Sequence, residues 1–174
     1  MQAGCKLAWR LPGYFQVSSK TAIRGFEATK LTTNERVEEL LRGVPSAHVN
    51  NLKAIAFVGR EQYSLYDLPS AGEQGAYFPD YRSILIFSAT DRDACEHVIF
   101  HELGHLVFHQ VLTSYQRKTW TTQLWTLRKF VSDYARTDPA EDFAESYAFC
   151  VLNPARIKTI AEKYHFLRFT VFAV

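Results

Sequence analysis

Four histidines recur at intervals of four residues in the segment HVIFHELGHLVFH, which occupies positions 97–109. The segment contains no proline and a single glycine, and it follows Asp93-Ala94-Cys95-Glu96, a helix-capping pattern. We therefore expect one helix that continues to about Leu112. Because residues four apart lie on one face of a helix, the sequence predicts a row of imidazoles that the rest of the chain must accommodate.

Only one pair in this row has the composition of a catalytic metal site. Eight helical residues rise about 12 Å, whereas zinc holds a nitrogen ligand at about 2.0–2.1 Å, so no three of these histidines can bind one ion. Of the three adjacent pairs, only the pair His101 and His105 has a carboxylate, that of Glu102, beside its first imidazole. These residues form an HExxH motif, in which two histidines bind the metal and the glutamate is free to exchange a proton. His97 and His109 become flanking groups, for which orienting, substrate-facing and packing roles all stay open.

A third ligand is expected from a helix further along the chain. Catalytic zinc usually takes three protein ligands and leaves one position open. Asp138-Pro139 predicts the start of a helix that Asn153-Pro154 ends, and Glu141 and Glu145 share one of its faces. Its other residues are largely apolar, so its acids should have partners; a solvated acidic face is the alternative interpretation.

The combination of these motifs resembles a known family. The motif His101-Glu102-Leu103-Gly104-His105, Tyr134 seven residues before Glu141, and a second acid at Glu145 look like the gluzincin metallopeptidases, typified by the anthrax lethal factor catalytic domain and the clostridial Pro-Pro endopeptidases. The resemblance covers roughly residues 52–153. It does not extend to the tryptophan-containing segment 113–132, which does not align with the family.

The resemblance implies a role for each matched residue in a zinc-dependent endopeptidase. It implies that Zn²⁺ is bound by His101, His105 and Glu141, that Glu102 activates water, that Tyr134 stabilises the oxyanion, and that Glu145 hydrogen-bonds a ligand histidine. These roles agree with general chemistry, because a carboxylate can carry a proton from water to a leaving amine and a phenol can donate to an oxyanion without changing its charge.

The resemblance also implies a zincin-like fold and a site for the substrate. In zincins the strand before the active-site helix lies at the edge of the sheet. A peptide or protein substrate is therefore expected to bind as an extended strand along the segment that begins at Ser83 and ends at Ser88. Without the resemblance, the apolar run in this segment would be interpreted as core.

The order of the predicted elements indicates an α+β fold with a small mixed sheet and a mostly helical C-terminal half. We predict strands over residues 52–58 and 62–68 and a hairpin formed by residues 75–78 and 83–88. Further helices are predicted over residues 33–42, 121–131 and 154–163, followed by an apolar tail that is either a strand or part of the core. Strands that precede helices favour α+β over an alternating βαβ arrangement.

Composition limits the remaining possibilities. The chain has 174 residues without repeats or linkers, which predicts a single domain over residues 1–174. A formal charge of +2 with scattered Lys and Arg argues against nucleic-acid binding, and no apolar run is long enough to span a membrane. Three cysteines cannot all pair within one chain, so free thiols are expected. The sequence has no signal peptide, which leaves open a cytoplasmic protein or an exported one whose leader is not included.

Two other functions fit the same residues. One is a cytoplasmic regulatory metallopeptidase that cleaves a repressor, since that family also combines HELGH with an acid on a helix; the spacing from Tyr134 to Glu141 favours the toxin-like group. The other is a non-catalytic binding domain that keeps the zincin fold. The complete set of motif residues argues against this second alternative.

Overall fold

A four-stranded mixed sheet forms one side of the molecule, and two long helices pack beside it. The computed structural model describes residues 21–58 and 72–173. In this part of the chain the strand order is β1-β2-β4-β3, where β1, β2 and β4 are parallel and β3 is antiparallel to β4. The strands are β1 (Ala22–Arg24), β2 (Ala54–Phe57), β3 (Gly75–Phe78) and β4 (Ser83–Ile86).

The helices account for most of the C-terminal half, as predicted. The α-helices are α1 (Asn34–Leu41), α2 (Ser46–Val49), α3 (Arg92–Leu106), α4 (Ser114–Thr119), α5 (Pro139–Leu152), α6 (Pro154–Ile157) and α7 (Ala161–Phe166). Short π-helical and 3-10 segments extend several of them. The α+β class with a small mixed sheet is therefore confirmed.

The hairpin prediction is confirmed, but the edge-strand prediction is wrong. β3 and β4 pair as an antiparallel hairpin, and β4 also pairs with β2 on its other side. The segment from Ser83 to Ser88 thus begins with an interior strand. The physical reason is that β2 hydrogen-bonds along the second edge of this strand, a pairing that its own apolar residues, the buried Ile84 and Ile86, do not reveal. Within the described ranges, β3 is the edge on this side of the sheet.

Helix α3 lies between the sheet and α5 and is buried on most of its surface. Ile99, Phe100 and Leu103 of α3 are inaccessible to solvent, as are Phe143 and Tyr147 of α5. Buried polar residues, among them Glu96, His101 and Glu102, accompany these apolar ones on α3. Its three histidines, at positions 97, 101 and 105, therefore lie in or beside the core, where an unpartnered polar group is costly.

Several predicted helix boundaries need correction. Helix α3 begins two residues earlier than expected, because the side chain of Asp91, not Asp93, caps it by accepting from the Ala94 amide. The predicted helix over residues 121–131 instead begins at Ser114, where Thr113 and Gln116 form a reciprocal capping box that the sequence interpretation overlooked. This helical region ends at Arg128, whose φ is +55°.

The predicted C-terminal helix is two helices, and the apolar tail is helical rather than a strand. Helix α6 ends at Ile157, α7 begins at Ala161, and a π-helical segment covers Leu167–Val171. Leu167 and Val171 are buried, so the tail belongs to the core.

Other expectations have mixed outcomes. Strand β1 and helix α2 were not predicted, and the predicted strand over residues 62–68 lies outside the described residues. Cys95 and Cys150 are buried free thiols, as expected. No described helix combines the length and apolar character required to cross a bilayer.

Candidate metal centre

Helices α3 and α5 approach each other closely at two small residues that lie between the site residues of each helix. A Cβ atom added to Gly104 would lie 2.7 Å from the Cα of Ala144, a distance too short for any side chain. Gly104 lies between His101 and His105, and Ala144 lies between Glu141 and Glu145. The glycine of the HExxH segment thus lets the two helices come close enough for their polar residues to meet.

The three residues predicted as metal ligands are brought together at this crossing. The Nε2 atoms of His101 and His105 are 3.1 Å apart, and Oε2 of Glu141 lies 3.1 Å from the first and 3.3 Å from the second. Ligand atoms at about 2.0–2.1 Å from a tetrahedral zinc ion are separated by about 3.3–3.4 Å. The three atoms therefore form a triangle of nearly the size that one zinc ion requires.

The chemistry of the triangle also fits a cation. Oε2 of Glu141 is buried and makes no hydrogen bond of acceptable geometry, although two imidazole nitrogens lie close to it. A neutral His101 that donates from Nδ1 to Glu145 leaves its Nε2 lone pair directed at this triangle. A buried polar group without a partner is costly, and a metal ion would satisfy all three atoms at once.

The pKa values of His101 and Glu141 show how strongly these two groups interact. Burial works against the charge on His101, but contacts with Glu141 and Glu145 outweigh it and raise the His101 pKa to about 10. Burial likewise opposes the charge on Glu141, and His101 and His105 nevertheless lower its pKa to about 2. The Glu141 carboxylate is therefore held ionised beside two imidazoles.

Glu145 contacts two histidines through a single oxygen. Its Oε1 lies 2.9 Å from Nδ1 of His101 and 2.8 Å from Nε2 of His97. Burial would raise the pKa of Glu145, but these hydrogen bonds and one from Ser132 lower it well below its usual range. An acceptor at Nδ1 fixes the tautomer of His101 that leaves Nε2 unprotonated and directed at the triangle.

Glu102 is buried beside the triangle and is held by the edge strand. The backbone N–H of Tyr77 in β3 donates to its carboxylate, and burial raises the Glu102 pKa. A Cβ on Gly75 would lie 2.7 Å from Val98 Cγ1 and 3.1 Å from Glu102 Cγ, so glycine lets β3 approach α3 at this point. A carboxylate with a raised pKa is suited to accept and return a proton near neutral pH.

Tyr134 lies at the mouth of the site. It begins a 3-10 segment, Tyr134–Arg136, its ring centroid is 5.7 Å from that of His101, and about half of its surface is exposed. Burial and then the negative charges of Glu141 and Glu102 raise the Tyr134 pKa to about 12. The phenol therefore keeps its proton and remains a hydrogen-bond donor.

A cleft of about 450 Å³ connects these residues to solvent. One wall is formed by the start of β3 and the residues that precede it, and the other by α3, α5 and Tyr134. The lining residues are Gly72, Glu73, Gln74, Gly75, His97, Val98, His101, Glu102, Tyr134 and Glu145. The cleft has the size of a small-ligand or peptide site and brings solvent to Glu102.

The two flanking histidines have different surroundings. His97 is half-buried, lines the cleft and contacts Glu145, whereas His109 is exposed and lies in the π-helical segment Val107–Val111. The ring of His109 is stacked at 6.4 Å from that of His105 and joins neither of the described groups that could hold a metal. The role of His97 was not predicted, although its spacing before His101 matches that of Glu145 after Glu141.

Comparison with known proteins adds no relative: no family model matches the chain, and no curated protein is significantly similar to it.

Proposed function

We propose that this protein is a zinc-dependent endopeptidase with a zincin-like fold. The observation that carries the proposal is the triangle of His101, His105 and Glu141 beside a buried glutamate and an open cleft. A ligand set of two imidazoles and one carboxylate is a common catalytic zinc site and leaves one coordination position for water or substrate.

The metal would be held by the Nε2 atoms of His101 and His105 and by the Glu141 carboxylate. A bound zinc ion would supply Lewis acidity, which lowers the pKa of a coordinated water molecule and polarises a carbonyl oxygen. Glu145 would keep His101 in the tautomer that presents Nε2, and the small residues Gly104 and Ala144 would hold the two helices at the required separation.

Glu102 would be the general base and then the general acid. Its carboxylate takes a proton from the water that attacks the scissile carbonyl carbon and delivers that proton to the departing amine. Its raised pKa suits both steps, and the hydrogen bond from the Tyr77 amide fixes its orientation. Tyr134, which remains protonated, would donate a hydrogen bond to the oxyanion that develops on the substrate.

The substrate would be a peptide or protein segment in an extended conformation. Gly75 lines the cleft, and the strand it begins, β3, is paired on one side only within the described ranges. An extended segment that adds to this edge would carry its backbone past Glu102, a mode of recognition in which main-chain hydrogen bonds supply affinity.

The proposal is tested with zinc-loaded protein on a mixed peptide library analysed by mass spectrometry. Wild type should produce defined cleavage products, and Glu102→Gln should bind zinc equally well but cleave about 10²–10⁴ times more slowly. Zinc-loaded wild type that cuts nothing, or a Glu102→Gln variant as active as wild type, contradicts the assignment. The cleavage sites from the same experiment would define the specificity.

A further inference from the structure

The contact between His97 and Glu145 has a defined direction. A carboxylate oxygen only accepts hydrogen bonds, so His97 must carry a proton on Nε2 and His101 a proton on Nδ1 for both to bond to Oε1 of Glu145. The carboxylate is thus held between two donors on successive turns of α3. Ser132 supplies a third hydrogen bond to the same side chain.

His97 is well placed to hold this carboxylate still. Its ring meets the edge of Phe149 at 5.1 Å between centroids, and the Arg156 guanidinium lies 5.0 Å over the Phe149 ring. Glu145 is 7% exposed in its side chain, while His97 is 28% exposed and faces the cleft. Without His97, solvent from the cleft would reach Oε1, and the carboxylate would be free to rotate away from His101.

We propose that His97 is a positioning residue that acts on the metal centre through Glu145. The proposal rests on the metal centre described under the proposed function. His97 holds Glu145 in the orientation that accepts from Nδ1 of His101, and this contact orients the His101 ring and increases the basicity of Nε2. Partners of metal-binding histidines commonly have this effect on metal affinity. His97 itself does not contact the metal or the substrate in this role.

An alternative is that His97, His101 and Glu145 hold a second ion, because their ligand atoms lie within 4.8 Å of one another. This group shares His101 with the first triangle. With both groups occupied, His101 would have to lose its remaining N–H proton, and Glu145 would leave its Nδ1 contact. The separations of 2.8 and 2.9 Å from one oxygen are those of two hydrogen bonds, which favours the positioning role.

The test is a double-mutant cycle on zinc affinity, with Zn²⁺ as the probe and a chromophoric chelator as the competitor. His97→Leu should weaken zinc binding about threefold to tenfold, less than the roughly 10–100-fold expected for Glu145→Ala. His97→Gln keeps an N–H donor and should recover most of the loss. His109→Leu, a matched change in the π-helical segment that follows α3 and without a contact to Glu145, should not show the loss of zinc affinity expected for His97→Leu.

The zinc affinity of the double variant, His97→Leu with Glu145→Ala, decides the question. If His97 acts through Glu145, His97→Leu should cause no further loss in the Glu145→Ala background. An equal further loss there, or no loss in His97→Leu alone, overturns the proposal. Failure of wild type to bind zinc overturns the metal centre itself and this proposal with it.

A measurement on the wild-type protein keeps the proposal testable if His97→Leu does not fold. Nitrogen-15 spectra of the histidine rings in zinc-loaded protein should show His97 protonated at Nε2 and His101 protonated at Nδ1. An unprotonated Nε2 on His97 is incompatible with its hydrogen bond to Glu145 and overturns the positioning role.

Discussion

Glu141 and Asp142 are adjacent on α5, yet the carboxylate of Asp142 has complete hydrogen-bond partners and that of Glu141 does not. Asp142 is fully buried and accepts from Nζ of Lys163 at 2.6 and 2.7 Å, and the same ammonium donates to the Lys129 carbonyl at 2.6 Å. All three ammonium protons therefore have acceptors. Glu141, in contrast, directs an oxygen without a hydrogen bond at two imidazoles.

His48 and His101 also differ in how fully their two ring nitrogens are hydrogen-bonded. In His48, Nε2 donates to the Val171 carbonyl at 3.0 Å and Nδ1 accepts from the Tyr147 hydroxyl at 2.8 Å, so a neutral imidazole is fully satisfied. In His101, Nδ1 donates to Glu145, whereas Nε2 faces both the His105 imidazole and an oxygen of Glu141 that has no hydrogen bond of acceptable geometry. A buried polar group with complete partners needs no ligand, whereas a bound cation would supply the partner that the Glu141 oxygen lacks.

Breaking the buried ion pair of Lys163 and Asp142 should change the stability of the protein more than any other proposed substitution. Lys163→Met should lower the free energy of unfolding by about 3–5 kcal/mol, because Asp142 would remain buried without a counter-charge. Urea denaturation of the metal-free protein measures this loss. Asp142→Leu combined with Lys163→Met should recover much of it, since an apolar pair leaves no buried charge. A loss near zero in Lys163→Met would mean that this side of α5 is not held by the ion pair.

Tyr134→Phe should lower the rate of peptide cleavage and leave the stability of the fold unchanged. Loss of an oxyanion donor typically lowers kcat by about 10²–10³-fold, and an exposed hydroxyl at the cleft mouth contributes little to folding. We expect slower peptide cleavage with unchanged zinc content and unchanged unfolding free energy. Loss of zinc from Tyr134→Phe would count against the proposed role.

The zinc affinities of variants at Glu141 and Asp142 compare the two adjacent acids. Glu141→Gln should weaken zinc binding by more than the roughly 100-fold that is the upper range for residues outside the ligand set. Asp142→Asn should leave the zinc affinity of the folded protein close to that of wild type, and Glu145→Ala should lie between the two. Equal losses in Glu141→Gln and Glu145→Ala would show that the third ligand is misassigned.

The smallest of these effects is a pH dependence from His48. Burial lowers the pKa of His48 to about 4, against about 6.5 in the unfolded chain. Between these values the unfolded state binds more protons, so stability is complete above pH 6.5 and is lost as pH falls toward 4. From pH 7.5 to pH 5 the loss should be about 2 kcal/mol. His48→Gln should show a smaller loss over this range; an identical loss would exclude His48 as the cause.

The sequence predicted which polar residues lie close together better than it predicted the order of the strands. The HExxH spacing and the pair Glu141 and Glu145 follow from helical periodicity, which acts over four residues and is visible in the chain. The position of β4 inside the sheet depends on its pairing with β2, about 30 residues away, and no local pattern specifies that neighbour. The edge prediction failed for this reason, while the hairpin, which is local, was correct.

The contact made by His97 likewise depends on a part of the chain that is distant in sequence. Its place on the histidine face was evident from spacing, but its contact with Glu145 depends on how closely α5 crosses α3. That approach is permitted by Gly104 and Ala144, whose importance appears only when both helices are in place. Likewise, the hydrogen bond from the Tyr77 amide to Glu102 joins β3 to α3 through backbone, and the identity of residue 77 carries no sign of it.

Anomalous diffraction from crystals of the zinc-loaded protein locates the metal on the chain. We expect one zinc ion per chain within about 2.0–2.2 Å of Nε2 of His101, Nε2 of His105 and the Glu141 carboxylate, with Glu145 hydrogen-bonded to His101 and not bound to the ion. A zinc ion located elsewhere on the chain, or the absence of any zinc at these three residues in fully loaded protein, would contradict the account.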